Sequence, residues 1–200
     1  MFEKYACRIT GVAPLILHNG QLADPLNNYA KAMKRISGKR NKTEADLEEL
    51  ARLEWHVSLY VSHGNVVIPG ELIEAHLVEA AKKLKKGQQA KACLFCDGVF
   101  PLVYDGPVDL DALWKDEAYR LTASVKVQRN RIMRTRPFFQ SWTLSAQVLY
   151  NPSQLNLGEI REFFRIGGEQ IGLGDWRPRF GRYVAEEAIA AEMGDDTGNA

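Results

Sequence analysis

Two amphipathic helical segments, set among alternating segments, constrain the fold of this chain most strongly. Residues 71–86 carry apolar residues at helical spacing and stop at Gly87, and residues 157–170 have a similar pattern. Segments in which apolar and polar residues alternate, as in strands, lie at 2–12, 119–127, 141–150 and 182–188. The order is strand, helix, strand, strand, helix, strand. It predicts an α+β protein with a ferredoxin-like (RRM-like) β-α-β-β-α-β core.

The segments between these elements are predicted to be helical and β-hairpin insertions, at about 20–68 and 90–118. In the first, Thr43 and Asp46 form a capping pattern for a helix, and His63-Gly64-Asn65 is typical of a hairpin turn. A chain of 200 residues suits one domain. We therefore expect a single domain over residues 1–190, and a disordered tail over 191–200.

The charges of the chain are segregated, although its formal net charge is only +1. Basic blocks occupy residues 31–42, 126–136 and 171–183. Charge runs are usually solvated surfaces, but three of them in one near-neutral chain raise the odds of a polyanionic partner. No apolar run approaches the ~18 residues of a membrane span, and the first residues lack the apolar stretch of a signal peptide. Together with an odd number of cysteines, three, this predicts a cytoplasmic protein without a membrane partner.

The stretch "IGLGDWRPRFGRY", residues 171–183, is here called the glycine loop. It follows a helix and precedes a strand, whereas dinucleotide and P-loop sites need a strand, then glycines, then a helix. We predict Gly172, Gly174 and Gly181 to be structural glycines. The loop would then bring four side chains to a nucleic-acid backbone, namely Trp176, Arg177, Arg179 and Arg182. The alternative is a helix end whose arginines pair with local acids such as Asp175.

The second basic block lies in "QRNRIMRTRPFFQ", which is too long for a tight hairpin turn between the flanking strands. If this segment is extended, alternating arginines share a face and follow successive phosphates, while aromatic side chains stack on bases. The alternative is a solvated hairpin whose aromatic residues enter the core. The predicted nucleic-acid contacts here are Lys126, Arg129, Arg131, Arg134, Arg136 and Phe138.

Three of these features together resemble the RAMP superfamily, the RRM-like proteins that build CRISPR effector complexes. The helix followed by "IGLGDWRPRFGRY" looks like the C-terminal glycine-rich loop of that superfamily. "NVVIPGELIEAHLVEAA" is similar to the segment that opens the first helix of its backbone subunits. "QRNRIMRTRP" lies between the second and third core strands, where those subunits carry an RNA-gripping thumb. The resemblance covers about two-thirds of the chain.

The resemblance implies a non-enzymatic protein that binds single-stranded nucleic acid, RNA in particular. It also implies a backbone-type subunit that assembles along the strand, as a homo-oligomer or in a RAMP-like complex of a bacterial cytoplasm. The loop ends in Phe180-Gly181-Arg182 rather than a dense Gly-x-Gly, and the chain is shorter than most CRISPR backbone subunits. Both departures point to a stand-alone relative, such as a phage or mobile-element protein.

Two other functions remain open. His18 follows the first strand, roughly where RAMP-type ribonucleases keep a histidine general base, so a metal-independent endoribonuclease is one alternative. A structural or interaction protein of the same fold is the other. Cys93 and Cys96 have zinc-ligand spacing, but the chain has no second pair of cysteines. We therefore predict no metal and no cofactor.

Overall fold

The computed structural model describes residues 1–127 and 130–188, and within these ranges the chain is a mixed α+β protein with antiparallel sheets. The strands are β1 (Glu3–Gly11), β2 (Leu15–Ile16), β3 (Val61–Ser62), β4 (Asn65–Pro69), β5 (Leu94–Phe95), β6 (Val99–Pro101), β7 (Arg120–Val127), β8 (Asn130–Phe139), β9 (Thr143–Tyr150) and β10 (Tyr183–Glu187). The helices are α1 (Asn28–Ser37), α2 (Glu44–Ser58), α3 (Gly70–Lys83), α4 (Gly87–Cys93), α5 (Leu110–Lys115) and α6 (Leu157–Ile166). A π-helical turn, Gly167–Ile171, continues α6.

A four-stranded antiparallel sheet in the order β10-β1-β9-β5 forms the centre of the molecule. Its register runs from Glu3 opposite Tyr150 to Thr10 opposite Thr143. Side chains alternate across a strand, so β1 buries Tyr5, Cys7 and Ile9 on one face. Helices α3 and α6 contribute their apolar sides to the same core cluster, which includes Leu77 of α3 and Phe164 of α6. The Tyr5 and Phe164 ring centroids are 5.6 Å apart.

A hairpin of β7 and β8 lies outside this sheet. It forms a second sheet with β2 in the order β2-β8-β7. Val127 lies opposite Asn130, and residues 130–139 form β8, so most of the segment that is too long for a tight turn between the flanking strands is extended. The sequence did not predict β8 as a separate strand, because its arginines occupy positions where apolar residues are expected to alternate.

Strand 119–127 was predicted to belong to the core sheet, and this too is corrected. The position beside β9 is taken by the two-residue β5, whose Leu94 is fully buried. The inward-alternating residues of β7 that are described, Leu121, Ala123 and Val125, are only half-buried. A strand with so little apolar surface to bury gains less from the core than from pairing with β8.

The N-terminal insertion follows the predicted elements. Thr43 and Asp46 form a reciprocal capping box at the start of α2, which confirms the predicted cap. His63 and Gly64 both have positive φ, 49° and 80°, at the turn between β3 and β4, which confirms the predicted hairpin. In the described ranges, every helix is too short or too polar to cross a membrane. The predicted disordered tail, residues 191–200, lies outside the described residues.

Candidate nucleic-acid interface

The glycine loop has a backbone path that its glycines make possible. Gly172, Gly174 and Gly181 have φ values of 82°, 81° and 73°. A Cβ on Gly181 would stand 1.7 Å from the carbonyl oxygen of Leu173, and one on Gly174 would stand 2.3 Å from that of Ile16. Both distances are far below van der Waals contact. Only glycine combines the positive φ with such close approach of two backbones.

Backbone hydrogen bonds hold the loop against β2 and the residue that precedes it. The Gly181 N–H donates to the carbonyl of Pro14 (2.7 Å), and the Asp175 N–H donates to the carbonyl of Ile16 (2.8 Å). Within the loop, the Leu173 N–H donates to the carbonyl of Gly181 (2.8 Å). The loop is therefore a fixed platform for its side chains.

Three arginines of this platform face solvent. Arg177, Arg179 and Arg182 are exposed, and none forms an ion pair with a residue of 1–127 or 130–188. Asp175, the local acid considered as a partner, instead accepts the Trp176 N–H through Oδ1 (2.9 Å). Its Oδ2 lies 3.7 Å from Nε of Arg136. The guanidinium groups of the loop remain available to an external anion.

A chain of aromatic rings joins the glycine loop to the end of β8. The centroids of Trp176 and Phe180 are 6.2 Å apart, and those of Phe180 and Phe138 are 6.3 Å apart. The Arg179 guanidinium lies 5.8 Å from the centroid of the Phe180 ring. The structure thus brings the loop next to Phe138, which is about forty residues earlier in the chain and was predicted as part of the same interface.

The arginines at the base of the β7–β8 hairpin bind a buried acid. Glu54 of α2 is 5% exposed, and its Oε1 accepts from Nη1 of Arg134 (2.9 Å) and from Nη1 of Arg136 (2.8 Å). Arg136 is 7% exposed. It is therefore not an accessible phosphate contact as predicted, because its charge is already neutralised inside the protein. Arg134 is partly accessible, with 34% of its side chain exposed.

The expectation that the arginines share one face is also corrected. Arg134 and Arg136 are two residues apart and point to the α2 side, whereas Arg131 is an odd number of residues away and points to the other. Arg129 lies outside the described residues.

Glu54, the acid that these arginines bind, was not predicted from the sequence as a functional residue. One signal could have indicated that this acid is buried: Glu54 follows Leu53 directly and lies on the side of α2 that carries Leu47 and Leu50.

The outer end of the hairpin carries a second group of exposed cations. Lys126 and Arg131 lie directly opposite each other in the antiparallel register, and both are exposed. Neither forms an ion pair within residues 1–127 and 130–188. Like charges directly across a strand pair destabilise it unless an anion offsets them. Five residues of strand place this pair roughly 17 Å from Arg136.

His18 lies two residues after β2, near the charges of Arg136, Asp175 and Glu54. The Tyr60 hydroxyl donates to the His18 carbonyl (3.2 Å). Partial burial lowers the pKa of the His18 imidazole, and the nearby Arg136 guanidinium lowers it further, against the opposing effect of Asp175. The ring is accordingly neutral at pH 7, and its side chain remains accessible to solvent.

The cysteines behave as packing residues. Cys96 is buried, its Sγ donates to the carbonyl of Gln147 (3.3 Å), and burial raises the pKa of its thiol to about 12. Within the described ranges, no group of three or more His, Cys, Asp or Glu side chains could hold a metal ion.

Comparison with known proteins adds nothing to this geometry, since neither a protein-family model nor a curated protein sequence matches the chain. The surface itself combines exposed guanidinium groups with half-buried aromatic rings, which suits a polyanion that carries flat bases.

Proposed function

We propose that the protein binds single-stranded nucleic acid, with RNA as its ligand, and that it does so without catalysis. One observation carries this proposal. The glycine loop and the β7–β8 hairpin, both basic and distant in sequence, meet through Phe138 with Phe180 and Arg136 with Asp175. The contact makes the two basic segments neighbours in the folded chain, so that one strand of nucleic acid can reach the cations of both.

The arrangement of the central sheet supports a ferredoxin-like assignment and, with it, a RAMP-like relationship. When only the strands of the central sheet and the helices α3 and α6 are counted, the chain order is β1, α3, β5, β9, α6 and β10, and the sheet order is β10-β1-β9-β5. This is a β-α-β-β-α-β succession if β5 serves as the second strand and the β7–β8 hairpin is an insertion before the third. The hairpin then occupies the place of the thumb in the family that the sequence resembles.

Single strands fit this surface better than duplexes do. The cations lie in two separate groups, at the hairpin end and on the glycine loop, with aromatic rings near the second. A flexible single strand can follow such a path with its phosphates while its bases reach the rings. Contacts of this kind bind without reading sequence, because phosphate contacts position a ligand but do not specify it.

The test compares two charge-matched variants by fluorescence anisotropy with a labelled single-stranded RNA at several salt concentrations. Lys126→Glu with Arg131→Glu alters the hairpin end. Lys91→Glu with Lys115→Glu alters two exposed lysines that form no ion pair in the described ranges and lie on α4 and α5. We expect the first variant to bind more weakly and to lose about 1.4 from the log–log salt slope, because each lost contact removes about 0.7. The control should keep most of its affinity.

Circular dichroism establishes that both variants are folded. A folded hairpin variant with unchanged affinity and slope would exclude the hairpin as a contact. Absence of RNA binding by the unaltered protein would instead favour a structural or interaction protein of the same fold.

A second candidate function, metal-independent RNA cleavage, is favoured by the surroundings of His18. An exposed imidazole whose pKa is lowered by partial burial and by the guanidinium groups of Arg136 and Arg134 has the properties of a general base with cations in its surroundings. Incubating labelled RNA with the protein in EDTA tests this. Cleavage that disappears in His18→Ala would establish the activity, and intact RNA after prolonged incubation would exclude it.

A further inference from the structure

We propose that the groove between α3 and the glycine loop holds one unpaired nucleotide, whose base stacks on Trp176. The inference rests on the proposed function, and it names a base-binding site in addition to the phosphate contacts described above. Neither the basic hairpin nor the loop arginines would by themselves create such a site.

The groove has the size and the lining of a nucleotide pocket. Its volume is about 510 Å³, within the range of ~300–1,000 Å³ that small-molecule pockets occupy. Its walls carry side chains of both helix and loop, namely Glu79, Lys83, Gln170, Asp175, Trp176 and Arg177. Lys83 and Arg177 are exposed and form no ion pair in the described part of the chain, so both can meet a phosphate.

The acids of the groove are already engaged. Glu79 pairs with Lys82, one turn further along α3, and Asp175 accepts the Trp176 N–H. Each acid of the groove thus has one partner, whereas Lys83 and Arg177 have no ion-pair partner in the described part of the chain. The exposed amide of Gln170 can donate and accept, which suits the edge of a base.

Trp176 is held in a backbone conformation that a bulky residue rarely adopts. Its φ is 52°, in the left-handed region, and the hydrogen bond from its N–H to Asp175 fixes it there. Strain of this kind persists where the surrounding structure enforces it, and it concentrates at ligand-binding sites. Here it keeps the indole half-buried at the rim of the groove.

The other tryptophans show that this exposure is not the general behaviour of the residue in this fold. Trp55, Trp114 and Trp142 are 0%, 8% and 2% exposed. The indole N–H groups of Trp55 and Trp142 donate to backbone carbonyls of Tyr119 and Ala13, each at 2.9 Å. Trp176 is thus the tryptophan, of the four in the chain, that a dissolved ligand can touch.

This difference provides a built-in reporter for the test. Tryptophan emission is recorded while the protein is titrated with a single-stranded octa-adenylate RNA, and in parallel with an abasic strand of the same length. Affinity for both strands is measured independently by anisotropy of a terminal label. The variants are Trp176→Ala and Trp176→Gly, and the second tolerates the positive φ, so the loop keeps its path if the alanine variant is misfolded. Trp176→Phe retains a stacking ring at this position but lacks the emission of the Trp176 indole, so only the three buried tryptophans emit.

We expect the base-bearing strand, but not the abasic strand, to quench the emission of the unaltered protein. The alanine and glycine variants should bind the base-bearing strand about tenfold more weakly and the abasic strand equally well, since stacking is lost and phosphate contacts remain. The phenylalanine variant should keep nearly full affinity. Equal affinity of all variants for the base-bearing strand, with no quenching, would overturn the stacking site while leaving nucleic-acid binding intact. Failure of both strands to bind would overturn the proposed function and this inference with it.

Discussion

At the scale of single residues, Glu54 joins two elements through three hydrogen bonds to a buried carboxylate. Its buried carboxylate accepts from Arg134, from Arg136 and from the backbone N–H of Thr135 (3.0 Å). It therefore ties α2 to β8 and neutralises a guanidinium that the fold has removed from water. Removing one partner of a buried ion pair leaves the other charge uncompensated.

We expect Glu54→Ala to lower the free energy of unfolding by about 3–5 kcal/mol, measured by urea denaturation. The double change Glu54→Leu with Arg136→Met should recover part of that loss, because no fully buried charge is then left without a partner. Arg134 loses its acceptor but is 34% exposed and can be hydrated, whereas the buried Thr135 N–H stays without an acceptor. Arg165→Ala is the control, since Arg165 is exposed and its pairs with Glu162 and Glu169 lie in solvent, and it should change stability little. A Glu54→Ala variant as stable as the control would contradict the account of this cluster.

The sequence could not show which arginines are exposed and free of ion pairs. The pattern correctly indicates that cations concentrate at 126–136 and in the glycine loop, but it gives no sign that Arg136 is buried. Its partner Glu54 lies 82 residues earlier, and the pairing depends on how α2 packs on β8. Local spacing carries no information about a contact made by tertiary packing.

At the scale of elements, His76 joins α3 to β10. Its ring is 3% exposed, and its Nε2 lies 2.9 Å from the Tyr183 hydroxyl. Burial lowers the pKa of the imidazole from 6.5 to about 4, and Arg177 adds to this effect. Between these two values the unfolded chain binds a proton that the folded protein does not, so folding loses stability as the pH falls through this window.

We therefore expect the free energy of unfolding to drop by roughly 3 kcal/mol more between pH 7 and pH 4 in the unaltered protein than in His76→Gln. Urea denaturation of both proteins at several pH values measures this difference. Carboxylates that titrate in the same pH range contribute equally to the pH dependence of both proteins, so their effect cancels when the two free energies of unfolding are subtracted. Parallel pH profiles for the two proteins would show that His76 is not buried in its neutral form.

The glycine loop makes a separate prediction. Gly181→Ala forces a Cβ onto the carbonyl of Leu173 and a side chain into positive φ, so the loop must leave its path. Gly20→Ala is the matched control, since nothing lies within 4 Å of its Cβ position. We expect Gly181→Ala to melt several degrees lower and to lose RNA affinity, measured by thermal unfolding and anisotropy, and Gly20→Ala to do neither. Unaltered melting of Gly181→Ala would show that the loop is not held as described.

Elements with strong periodicity could be predicted, and short ones could not. The patterns of β1, α3, β9 and β10 indicate the right elements, and the turn at His63-Gly64 has its chemistry in the sequence itself. Strand β5 has only two residues, too few for a pattern, yet it takes the place beside β9. Strand assignment to a sheet is decided by competition for burial, which a single segment does not reveal.

At the scale of the whole molecule, assembly should depend on the ligand. One domain covers only a few nucleotides of a single strand, and cooperative packing along the strand is usual for such binders. We expect native mass spectrometry to show complexes whose mass rises in steps of one protein as the oligonucleotide lengthens. A one-to-one complex on every length would contradict assembly, though not binding.

The central claim, that exposed cations of the hairpin and the glycine loop bind the phosphates of a single strand, is tested most directly by the salt dependence of RNA affinity for the unaltered protein. The described cations of the hairpin and the glycine loop that are both exposed and free of ion pairs are Lys126, Arg131, Arg177, Arg179 and Arg182. If each neutralises one phosphate, the logarithm of the association constant falls with the logarithm of the salt concentration with a slope near −3.5, since each contact contributes about 0.7. A slope near zero, or no binding at low salt, would contradict the account.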